Sequence, residues 1–160
     1  MLLEERNISN SRPDERPSPF GHSIVLRANP PASGEEILTR LRAAWSTVAS
    51  WGRWSDDELG DWPDREACLE GLPQWLRETI RKLPSYEVDN WLQDLHDRSW
   101  IWWSGATQGD VVKIDIQTEA LPLTAWPLRL VAELSGAAVL YDGDWVGSAA
   151  LAEGLPRSHA

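Results

Sequence analysis

A hairpin signal in the second half of the chain constrains the fold more than any other segment. Ser99 to Ser104 reads SWIWWS, an aromatic and β-branched run, and Asp110 to Thr118 reads DVVKIDIQT. Alternation in the second run puts Val112, Ile114 and Ile116 on one face and Lys113, Asp115 and Gln117 on the other. That is the period of a half-buried strand. The segment GATQG between the two runs has hairpin length. Helical spacing flanks the hairpin on both sides. Ile37, Leu41, Trp45 and Val48 define one apolar helix face behind a capping Ser33, with Glu35 and Glu36 where the helix dipole favours acids. Leu128, Val131 and Ala132 define a second, stopped by Gly136. Beyond each helix lies one more short strand signal, SIVLRA at 23–28 and AVLY at 138–141.

The order is strand, helix, helical insertion, strand, strand, helix, strand. It places the chain in the α+β class with the split βαβ order of the ferredoxin-like plan. Right-handed crossovers predict an antiparallel sheet with both main helices on one face. The insertion covers about residues 52–98 and sits in the first crossover. The other sheet face is then covered by the insertion, by a partner or by water. Residues 1–20 are polar, hold three prolines and read as a disordered tail. Residues 21–146 read as a single domain and 147–160 as a flexible tail.

Composition narrows the function. Eleven tryptophans stand against one Phe and two Tyr, on a chain of 25 Asp+Glu and 15 Lys+Arg with net charge −10. Nucleic-acid binders carry a basic patch; here the 13 Arg and two Lys are scattered. Direct nucleic-acid binding is therefore not expected, whereas a basic protein partner is. The N-terminus lacks the apolar region of a signal peptide, and no apolar run has transmembrane length. A cytoplasmic, bacterial-type protein is expected. Cys68 is the single cysteine, so neither an internal disulfide nor a multi-cysteine zinc site can form.

No catalytic motif stands in the chain, and the expectation is a binder, not an enzyme. There is no G-x-S-x-G elbow and no phosphate-binding glycine loop. His96-Asp97 resembles a phosphohydrolase dipeptide, but only His22 and His159 remain as further histidines. No metal and no cofactor are expected. Tryptophan is enriched at binding hot spots, and two features fit contact with a partner. One is the loop carrying Trp54, Asp56, Asp57, Glu58, Asp61, Trp62 and Asp64. The other is Trp103, which alternation turns away from Trp100 and Trp102.

The segments WLQDL, WIWWSG, DVVKIDIQTEALP, the helix ending in ELSGA, and VLY, spanning Trp91 to Trp145, resemble the immunity proteins of bacterial polymorphic-toxin systems. That resemblance implies a small acidic cytoplasmic α+β protein that binds a cognate toxin and occludes its active site. A nuclease toxin, with its basic groove, would suit an acidic inhibitor. Three alternatives stay open. One is a phage-type inhibitor that mimics nucleic acid. Another is a ligand-binding or enzymatic cleft joining Glu119, Asp115 and His96. The third is a homodimer made through a tryptophan face.

Overall fold

The computed structural model describes residues 3–53 and 62–153. Its element order is α1 (Leu3–Asn7), β1 (Phe20–Ala28), α2 (Gly34–Trp51), α3 (Arg65–Gly71), α4 (Gln74–Ile80), α5 (Ser85–Asp97), β2 (Trp100–Gln108), β3 (Val111–Thr118), α6 (Trp126–Leu134), β4 (Ala137–Asp144) and α7 (Ala149–Glu153). The four strands form one sheet in the order β2-β3-β1-β4, every neighbouring pair antiparallel. This is the α+β, ferredoxin-like order expected from the sequence.

Helix α2 begins as its residues dictate. Ser33 accepts from the Glu36 amide while the Glu36 carboxylate accepts from the Ser33 amide, a full capping box. Its first turn sits directly on the β2–β3 turn. A Cβ at Gly34 would lie 2.6 Å from the Gly109 carbonyl oxygen, and Gly109 itself has φ +62°. Both positions need glycine, one for close approach and one for the left-handed turn. Helix α2 buries Ile37, Leu41, Trp45 and Val48 against Ile24, Leu26, Trp100, Trp102, Val112, Ile114 and Ile116. Helix α6 adds Leu128 and Val131 to the same core.

The described helices of the insertion do not cover the second sheet face. Helices α4 and α5 pack against α6, on the helix side of the sheet. Trp91 anchors α5 there by donating its indole N–H to the Pro127 carbonyl at 3.0 Å. The second face is covered by the N-terminal arm and by α7 instead. Helix α7 lies over β2 and β3, and Ala150 and Leu151 join Val25, Ala106 and Val111 in a separate small core.

The N-terminal segment, expected as a disordered tail, is built into the sheet. Strand β2 is a sheet edge, and its bulge at Trp103 interrupts the pairing register. Glu4 accepts from the Trp102 amide at 2.9 Å and Asn7 donates to the Trp102 carbonyl at 3.1 Å. The Gly105 amide donates to the Asn10 carbonyl at 3.0 Å, and Arg12 donates to the Trp103 carbonyl at 2.9 Å. Polar groups of residues 4–12 thus satisfy an edge that would otherwise invite another strand. Residues 13–18 then cross the second face. Pro13 accepts from Lys113 at 3.0 Å, and Asp14 accepts from the Ser148 amide at 2.8 Å, tying the arm to the start of the C-terminal segment.

At the opposite edge His22 and Asp142 meet at 2.5 Å, and Arg129 donates to Asp142 at 2.8 Å. The His22 hydrogen bond, with help from Arg129, holds the Asp142 carboxyl below its ordinary value of 3.8. A depressed folded-state pKa contributes stability above the unfolded value and loses it as pH falls. Asp142→Asn is therefore expected to flatten the acid limb of the stability curve below about pH 4. Urea midpoints measured from neutral pH downward check this; parallel curves for variant and wild type would refute it.

Candidate functional site

The tryptophans are mainly architecture. All except Trp54 lie among the described residues, and Trp45, Trp51, Trp91, Trp100 and Trp102 are buried. Trp45 stacks on Trp100 with centroids 5.5 Å apart and planes 18° from parallel, and lies 6.4 Å from Trp102. Trp51 makes edge contacts with Trp62 at 5.5 Å and Trp91 at 6.4 Å. These rings join sheet, α2 and insertion into one core. Stacked and edge-on pairs of this kind add about 0.5–1.5 kcal/mol beyond area burial.

Trp103 does face away from that core, as alternation requires, yet it is no bare docking ring. The Arg12 guanidinium sits 3.8 Å from its ring centroid, and its indole N–H donates to the Glu15 carbonyl at 3.2 Å. The N-terminal arm occupies the surface that the sequence assigned to a partner. Asp64 serves as the N-cap of α3, accepting from the Ala67 amide at 2.9 Å. Trp54, Asp56, Asp57, Glu58 and Asp61 lie outside the described residues.

Trp62 is half-buried and lines a cleft of about 360 Å³ together with Pro63, Arg65, Asp89, Leu92, Gln93 and His96. Its ring meets the His96 imidazole edge-on at 4.9 Å. Arg65 and Asp89 pair across one wall at 2.8 Å. His96 Nδ1 lies 2.9 Å from Asp97, which also accepts from Gln93 at 2.7 Å. Those hydrogen bonds, Gln93 first, hold the Asp97 carboxyl below its ordinary value, so it stays ionised.

Helix α5 forms the long wall of this cleft. It turns Val88, Trp91, Leu92 and Leu95 inward. Outward it shows Tyr86, Asp89, Asn90, Gln93, Asp94 and Asp97, all exposed, and it carries no Lys or Arg. Residues 52–98 hold 12 Asp and Glu against 6 Lys and Arg, a net −6 of the chain's −10. The sequence pattern pointed to the entry loop of this insertion. The outward face of α5, also acidic, could have been found by reading the polar side of its helical period.

The residues of the alternative catalytic cleft do not converge. Asp115 is buried beside Lys113 under the N-terminal arm, His96 lines the α5 cleft, and Glu119 is exposed beyond the end of β3. Among the described residues no three His, Cys, Asp or Glu side chains are grouped to hold a metal ion. Cys68 is buried under the loop entry, with its thiol 3.5 Å from the Pro63 carbonyl and its pKa pushed up by burial to about 11. A thiol-specific reagent at pH 8 is expected to label Cys68 slowly in the native protein and fully in denaturant. Rapid native labelling would contradict the burial. No helix of the described residues is long and apolar enough to cross a membrane.

Comparison of the chain with known protein families, with curated proteins and with solved structures finds no match.

Proposed function

We propose that the protein is a stoichiometric inhibitor of a basic protein partner, of the kind that immunity proteins provide against bacterial toxins. The observation that carries this reading is the placement of charge. The insertion in the first crossover concentrates a net −6 in residues 52–98, and it is held to the helix layer by Trp91 and Trp51. An acidic lobe steers a basic partner and fixes its orientation. A nuclease toxin, whose substrate groove is basic, is the partner class that fits best.

Co-expression with the protein encoded immediately upstream, followed by affinity capture and light scattering, tests the reading. A 1:1 complex in which the partner's toxicity is lost is the expected result. A folded protein that leaves an expressed, active neighbour unbound would sink it. Within such a complex, converting Asp56, Asp57, Glu58, Asp61 and Asp64 to their amides is expected to slow association by about tenfold or more at low salt and to flatten its salt dependence. Asn at position 64 still caps α3, so the fold is retained. Unchanged association kinetics would remove the loop from the interface.

A further inference from the structure

Resting on that reading, we infer that the outward face of α5, with the Trp62 cleft at its side, is the surface that grips the partner, and that the occupant is an arginine-bearing basic protein surface. Three observations converge on one helix. First, α5 carries Glu87, Asp89, Asp94 and Asp97 and no Lys or Arg, the largest excess of acids over Lys and Arg on any described helix. Second, Tyr86 is 66% exposed, the most exposed large hydrophobic side chain among the described residues, and it stands on this acidic helix. An exposed tyrosine among acids has the make-up of a hot spot, with a flat amphipathic ring for contact and charge for orientation. Third, the cleft beside it offers apolar walls, Trp62, Pro63 and Leu92, with the Asp89 carboxylate and the Gln93 amide at its rim.

An arginine suits this combination better than a lysine. Its planar guanidinium stacks on an indole face while its N–H fork meets a carboxylate. Asp89 already holds such a group, since Arg65 donates to it from Nε at 2.8 Å. That pair is solvent-exposed, so an incoming guanidinium exchanges with Arg65 at little cost. Asp94 has one oxygen engaged by the Trp126 indole N–H and Asp97 is held by Gln93 and His96, so both acids are fixed in place. Fixed acids lose little side-chain entropy on binding.

The test has two arms that separate this inference from the inhibitor reading. In the complex with the upstream-encoded partner, Tyr86→Ala and the pair Asp89→Asn/Asp94→Asn are each expected to weaken affinity at least about tenfold. Glu133→Gln, an exposed acid on α6, should leave affinity within about twofold. Thermal melts establish that each variant is folded. Full affinity in both α5 variants would overturn the inference while leaving the inhibitor reading intact. If no complex forms, the inhibitor reading fails, and the surface is judged alone with a hexa-arginine peptide titrated into the ¹⁵N-labelled full-length protein. Shifts confined to the Trp62 indole and to the amides of residues 86–97, absent with a hexa-glutamate peptide, support the surface. Shifts spread evenly over all acidic residues, or centred elsewhere, overturn it.

Discussion

Glu4→Ala is expected to destabilise the protein by about 3–5 kcal/mol, the loss seen when one member of a buried ion pair is removed. Arg98 is 4% exposed and pairs with the Glu4 carboxylate. It also donates to the Leu95 carbonyl at 2.7 Å and lies 5.7 Å from the centroid of the Trp100 ring. Without Glu4 the buried Arg98 charge loses the carboxylate it pairs with. The other carboxylate oxygen of Glu4 accepts from the Trp45 indole at 2.7 Å and from the Trp102 amide at 2.9 Å. The substitution therefore also orphans two buried donors, each costing about 1–3 kcal/mol in isolation. A graded series separates the contributions. Glu4→Gln keeps an oxygen for the two tryptophans and loses the charge, so it should fall between wild type and Glu4→Ala. Adding Arg98→Met to Glu4→Gln removes the cation that Glu4 balances and should recover most of the loss. Urea midpoints give the order. A Glu4→Ala variant within 1 kcal/mol of wild type would show that the arm is not seated on β2 in solution.

The same residue shows where reading the chain stops. Repeating strand and helix periods made the sheet and both main helices legible, because Val112, Ile114 and Ile116, or Ile37, Leu41, Trp45 and Val48, obey one geometry along a continuous stretch. Glu4, Asn7, Asn10 and Arg12 obey none. They are spaced by the edge of a strand about a hundred residues away, and their polarity looks like that of any disordered terminus. Nothing local signals that Trp102 and Trp103 leave an open edge needing donors and acceptors. The candidate surface was legible in part. The insertion announced its acidity, and Trp62 announced a ring in a loop. Which tryptophans would be consumed by packing depended on tertiary contacts. Trp103 was the natural choice for a partner until Arg12 and Glu15 were placed on it. Tyr86 was hidden by the opposite error, since a lone tyrosine beside Pro84-Ser85 stands out only when the helix that displays it is in place.

Lys113→Met is expected to cost about 3–5 kcal/mol as well, while Lys113→Met combined with Asp115→Leu should be neutral or stabilising. The two residues stand two apart on β3 and point into the second sheet face, 1% exposed each, with Nζ and Oδ2 at 2.5 Å. Burial pulls the Lys113 pKa down and pushes the Asp115 pKa up, against the pull of their mutual attraction. Both directions say that desolvation outweighs pairing, so the pair returns less than it costs to bury. Its neighbours explain why breaking it is nonetheless expensive. Ser23 donates to Asp115 at 2.7 Å, Pro13 accepts from Lys113 at 3.0 Å, and the Lys113 ammonium lies 5.4 Å from the centroid of Trp145. Losing only the cation leaves a buried carboxylate without its counter-charge under a sealed face. Losing both charges leaves Ser23 with the Val146 amide it already accepts from at 3.0 Å, and the arm with an apolar surface to lie on. Denaturant titration of the single and double variants decides between the two accounts of this face. A double variant as unstable as the single would mean that the ion pair itself registers the arm on the sheet, and that the N-terminal segment is held there by charge and not by the sealing of an already favourable apolar layer.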